Sequence, residues 1–121
     1  MGKDDRISYI KEFKRIESEY REKLSIAKTP VEVGDTFIDY VHGFLKSIHP
    51  DIKQRDIEYI EFDPEIEPPF RFEKPLDEKI KEVLDSSDLE SILLKMAEPA
   101  KHRYRKFVKD EDRTELFRRH E

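Results

Sequence analysis

The stretch TPVEVGDTFIDYVHGFLKSIHP, residues 29–50, carries both ends of a helix in its own letters. The Thr29 hydroxyl can accept from an amide one turn further on, which makes it a good N-cap. Pro30 suits the first helical position because it has no amide to leave unpaired. Glu32 completes a capping box. Pro50 closes the stretch, since the residue before a proline avoids helical backbone, so the helix is predicted to reach about His49. Between these signals Val33, Phe37, Ile38, Val41, Phe44, Leu45 and Ile48 follow three- and four-residue spacing and cover nearly half the circumference. A face that broad predicts burial against more than one neighbour. Gly34 lies within it, either for close backbone approach or simply tolerated near a helix start.

Before this helix, Tyr9, Ile10, Phe13, Ile16, Tyr20 and Leu24 form one apolar stripe and predict a first helix over residues 4–26. Residues 27–29 leave a link so short that the two helices form an antiparallel hairpin. After it the helical period fails. From residue 51 to 75, Ile57-Glu58-Tyr59 and Phe70-Arg71-Phe72 alternate, and prolines stand at 64, 68, 69 and 75. This pattern predicts two short extended segments around a proline-rich loop, either as a small hairpin or as an arm without a sheet partner.

Helix returns at Pro75 or Leu76, with Asp77 and Glu78 in the first turn, where the helix dipole favours anions. Leu76, Ile80, Val83 and Leu84 are its stripe. Ser86-Ser87-Asp88 interrupts it, and Ser87 or Asp88 caps the helix that follows. There Leu89, Ile92, Leu93, Met96, Ala97 and Ala100 lead on to Tyr104, Phe107 and Val108. Pro99 inside that pattern predicts a kink or a break, with a last short helix over residues 111–119. The fold class is mainly α: a single domain over residues 1–121. It comprises a helical hairpin (1–50), a proline-rich acidic excursion (51–75) and C-terminal helices with a basic tail (76–121).

Charged residues make up 44% of the chain, against a globular average of about 25%. Ile, Leu, Val and Phe still contribute 33 of 121 positions, enough for a packed core. The composition, rich in Lys and Glu with no Cys or Trp, is of the kind found in proteins from hot environments. Without cysteine there is no disulfide framework, thiolate nucleophile or cysteine metal site. No apolar run is long enough to span a bilayer or resembles a secretion signal, so a cytoplasmic protein is expected. The net charge of −5 is unevenly spread: residues 1–98 carry −8 and residues 99–121 carry +3.

Chemistry-bearing residues form a few patterns. On the second helix Asp35, Asp39, His42 and His49 fall along one edge, and carboxylate plus imidazole is an acceptable ligand set for Zn, Fe or Mn. That edge also holds Lys46, and Asp39-x-x-His42 has no second copy of the kind that di-metal bundles use. The carboxylate pairs Glu58-x-x-Glu61 and Glu82-x-x-Asp85 have Mg²⁺-binding spacing, but the first falls where extended chain is expected. Near the C-terminus Lys101, Arg103, Arg105, Lys106 and Lys109 interleave with Tyr104 and Phe107, a pattern suited to phosphates and stacked bases or to an acidic partner. The acids at 56, 58, 61, 63, 65 and 67 are a ready partner for this segment, in the same molecule or in another copy. Only three glycines exist, so no glycine-rich phosphate loop can form, and no Gly-x-Ser-x-Gly elbow occurs.

These residues favour a small non-enzymatic interaction protein, a subunit or adaptor that associates through helical faces and the basic segment, with no cofactor. Self-association as a homodimer packed through the helical hairpins fits the breadth of the apolar faces. The alternatives are a metal-dependent enzyme that uses the second-helix row with a divalent metal, and nucleic-acid binding through the basic segment.

Overall fold

A computed structural model describes the backbone of residues 7–120 and the side chains of residues 7–107. Helices α1 (Ile10–Ile26) and α2 (Pro30–Ile48) form the expected antiparallel hairpin. The α2 start follows its sequence signal closely. Thr29 Oγ1 accepts from the Glu32 amide at 3.1 Å, and Glu32 reaches back to the Lys28 amide at 2.8 Å. The helices touch through Tyr20 and Tyr40, whose ring centroids are 5.3 Å apart.

The first helix begins at Ile10, so residues 7–9, predicted to be helical, are not. Residues 7–9 are instead tied to the junction between the last two helices. Ile7 forms a parallel bridge with Ser87, its amide donating to the Ser86 carbonyl at 3.1 Å and its carbonyl accepting from the Asp88 amide at 3.2 Å. The Asp88 carboxylate then takes the Tyr9 amide at 2.8 Å and the Ser8 hydroxyl at 2.7 Å. These long-range bonds outcompete the extra helical turn. The earlier part of the predicted helix, residues 4–6, lies outside the described residues.

The excursion is a true hairpin: β1 (Ile60–Phe62) pairs antiparallel with β2 (Phe70–Phe72), with Ile60 opposite Phe72 and Phe62 opposite Phe70. Its aromatic side chains pack on α2, with Phe37 5.0 Å from Phe62 and 6.1 Å from Phe70. A Cβ at Gly34 would meet Phe62 at an ordinary 3.6 Å, so this glycine is tolerated rather than required. Ile57-Glu58-Tyr59 is not a strand. It belongs to a 3-10 turn, Gln54–Tyr59, because Asp56 folds inward and its carboxylate takes the Lys53 amide at 2.7 Å. The strand starts only after that tight turn.

Helix α3 (Leu76–Ser86) and helix α4 (Leu89–His120) complete the chain. Ser87 stitches them together: its hydroxyl donates to the Val83 carbonyl and accepts from the Leu89 amide at 3.1 Å. Against expectation, Pro99 does not break α4, and no separate helix covers residues 111–119. One 32-residue helix runs through both. Around Pro99 the buried residues Ile92, Leu93, Met96, Ala97 and Ala100 hold the helix against the hairpin on both sides of the missing amide. Packing therefore outweighs a local penalty of about 3 kcal/mol.

Helix α4 runs parallel to α1. Asp88 meets Tyr9 at one end, the Tyr20 hydroxyl donates to the Met96 carbonyl in the middle, and Arg103 meets Ala27 at the other. The core lies between α1, α2 and α4, closed on one side by the β-hairpin.

Candidate interaction surface

The α2 row does not converge. Asp35 and Asp39 are exposed, whereas His42 is buried and its Nε2–H donates to the Lys53 carbonyl at 2.9 Å. His49, at the helix end, accepts the Asp51 amide on Nδ1 at 3.1 Å. Lys46 turns to Gln54 Oε1 at 3.4 Å. Among the described residues no three His, Cys, Asp or Glu side chains gather as a metal would require. The row is divided between solvent and a seam that ties α2 to the loop after it.

Asp39 does line a groove of about 340 Å³ between α1 and α2, with Glu19, Tyr40 and Gly43. The Tyr40 hydroxyl donates to Glu19 Oε2 at 2.8 Å. Its pKa is pushed up to about 12 by desolvation, then by that hydrogen bond and by the negative charges of Glu19, Asp39 and Glu22. Tyr40 therefore stays a hydrogen-bond donor at neutral pH and cannot act as a base.

A buried ion pair fixes α3 to the loop after α2. Asp56 is only 1% exposed and takes Lys79 Nζ at 2.8 Å. The same ammonium donates to the Asp51 carbonyl at 3.1 Å. Burial alone would push the Asp56 carboxyl up, but the Lys53 amide and the Lys79 ammonium together hold it below its ordinary value. The carboxylate is enclosed, the Lys79 side chain is 26% exposed, and the pair joins α3 to the loop after α2.

The basic segment of α4 separates into two groups. Lys101 lies 3.6 Å from Glu67 of the proline loop, so basic segment and acidic loop do meet within one molecule. Arg103 donates to the Ala27 carbonyl at 2.8 Å, beside the C-terminal end of α1, and its guanidinium lies 5.0 Å over the Phe107 ring. A cation at a helix C-terminus is favoured by the helix dipole. Arg105 and Lys106 are exposed. Lys109 is on α4 beyond the residues whose side chains are described.

Helix α4 and the proline loop enclose two shallow grooves. One, of about 440 Å³, has Pro64 and Ile66 facing Lys101, Tyr104 and Arg105. The other, of about 520 Å³, has Pro68, Pro69, Leu94 and Ala97 as its apolar part, with Glu67, Glu90 and Glu98 around it. Leu94 is 42% exposed although it stands between the buried residues Leu93 and Met96. The sequence contains the signal for it: in Leu93-Leu94 only one leucine can lie on the buried stripe, and the other must point away. No helix among the described residues is long and apolar enough to cross a membrane. Compared with protein-family models, with curated proteins and with solved structures, the chain finds no match.

Proposed function

We propose that the chain is a small interaction protein, a subunit or adaptor that docks a partner along the outer side of α4. The observation that carries this reading is the Leu94 groove. It presents a half-exposed leucine beside two adjacent prolines, whereas Ile7, Ile26 and Val31, the other exposed large apolar side chains among the described residues, line neither groove of α4. Interfaces are built this way, with an apolar centre inside a polar rim. Arg105 and Lys106, exposed further along the same helix, add a charged flank that steers and selects partners. Nucleic-acid binding has less support, because Lys101 and Arg103 already engage Glu67 and the Ala27 carbonyl.

The test is affinity capture with the full chain, comparing wild type with Leu94→Glu. The variant is expected to lose its partners while keeping its circular dichroism and urea midpoint. Retention of every partner by Leu94→Glu overturns the reading. Reversing Arg105 and Lys106 together is expected to weaken association most at low salt, where surface charges are least screened.

A further inference from the structure

The Leu94 groove carries a charge pattern that selects what can fill it. Pro68, Pro69, Leu94 and Ala97 are its apolar lining, and three glutamates stand around them against the single base Lys95. One of the three, Glu67, lies 3.6 Å from Lys101. The other two, Glu90 and Glu98, are exposed and enter no ion pair among the described residues. They stand one turn before and one turn after Leu94 on the same face of α4, about 6 Å along the axis to either side.

A second copy that met this face with its own α4 would fit it poorly. A two-fold contact centred on Leu94 sets Glu90 against Glu90 if the helices run parallel, and Glu90 against Glu98 if they run antiparallel. Like charges face each other in both cases, which opposes association. Sliding the antiparallel copy until Arg105 meets Glu90 brings Lys101, not an apolar side chain, opposite Leu94.

We propose that the Leu94 groove takes a basic amphipathic segment of a different protein. One large apolar side chain of that segment sits on Leu94 and the two prolines, and a Lys or Arg about 6 Å to each side meets Glu90 and Glu98. That spacing is four residues in a helix and two in an extended chain. The apolar contact supplies most of the affinity, and the two charge pairs select the partner and set its register. The inference rests on the Leu94 groove being a docking surface, as proposed above.

The experiment is selection of a random-peptide display library on the immobilised full chain. Wild type is expected to enrich peptides with a large apolar residue and a Lys or Arg four or two positions to each side. Their affinity is then measured for wild type and two variants. Leu94→Glu keeps the acidic rim, so a peptide held by charge alone survives it; the enriched peptides are expected to weaken at least about ten-fold. Glu90→Lys/Glu98→Lys is expected to weaken them by at least about ten-fold at low salt and by less at high salt. Circular dichroism checks that both variants are folded. Leu94-dependent peptides that are neutral or acidic, or that bind Glu90→Lys/Glu98→Lys as tightly as wild type, overturn the basic partner and leave the docking surface standing. Self-association of the wild type that Leu94→Glu abolishes, read by sedimentation, overturns it in favour of a second copy. The docking surface itself fails differently, when no enriched peptide depends on Leu94.

Discussion

At the scale of single residues, chemistry that looks catalytic in the sequence is used to join elements. His42 stands three residues from Asp39, as a metal ligand might be placed, yet its ring donates to Lys53, eleven positions downstream. Helical spacing shows which residues share an edge but not which loop folds over that edge, so this partner was not legible. Asp56 shows the same in sharper form. It reads as one acid in a run of six, and only folding makes it a buried carboxylate paired with Lys79. Its folded pKa lies below the unfolded value of about 3.9. The pair's contribution is therefore fully present above about pH 4 and is lost as pH falls through the folded value. Lys79→Met leaves the carboxylate buried without its cation and is expected to cost about 3 kcal/mol at neutral pH. That deficit should shrink at a pH below the ordinary carboxylate value of about 3.9, because the variant's buried carboxyl, without its cation, is driven to protonate there. Urea unfolding of both proteins at the two pH values checks this. A deficit of equal size at both would show that Asp56 is not the group responsible.

At the scale of elements, the caps and the proline that bound α2 held at both ends, whereas the start of α1 and the proline inside α4 were decided by packing. The Thr29-Pro30-x-Glu32 start is local chemistry: the Thr29 cap forms as read, while Glu32 takes the Lys28 amide, one residue before the amide that a capping box uses. Pro99 is also a local signal, but its effect depends on what lies on either side. The apolar stripe continues across it, and the packed residues keep α4 in one piece. If Pro99 is an uncompensated penalty, Pro99→Ala restores the amide and should stabilise the protein by about 1–2 kcal/mol, less than the full interior penalty because alanine also loosens the unfolded chain. A higher urea midpoint is the expected readout. An unchanged or lower midpoint would mean that α4 is shaped around the proline. The same stripe explains Leu94: the helix needs one leucine of the pair for its core and leaves the other outside. The segment 57–59 went the other way, because alternation over three residues fits a 3-10 turn as well as a strand.

At the scale of the whole molecule, the chain is closed by contacts between residues far apart in sequence. Asp88 holds Ser8 and Tyr9, about eighty positions away, and Arg103 holds the Ala27 carbonyl across a similar span. Asp88→Ala is expected to release the start of α1, lower stability by about 1–3 kcal/mol, and speed hydrogen exchange at the Tyr9 amide. Unaltered exchange there would show that the bridge between Ile7 and Ser87 holds the segment alone. The sequence by itself determined the helical class, the hairpin of α1 and α2, the interruption by extended chain and the break between α3 and α4. All of these follow from periodicity, caps and prolines, which act within one or two turns of chain. Only the tertiary structure decided that α1 starts late, that α4 passes through Pro99, that Asp56 and His42 turn inward, and that Leu94 faces a groove beside two prolines. Each of these is a competition between a local preference and a partner brought near by folding, and packed or buried contacts win because each can outweigh the few kcal/mol at stake locally.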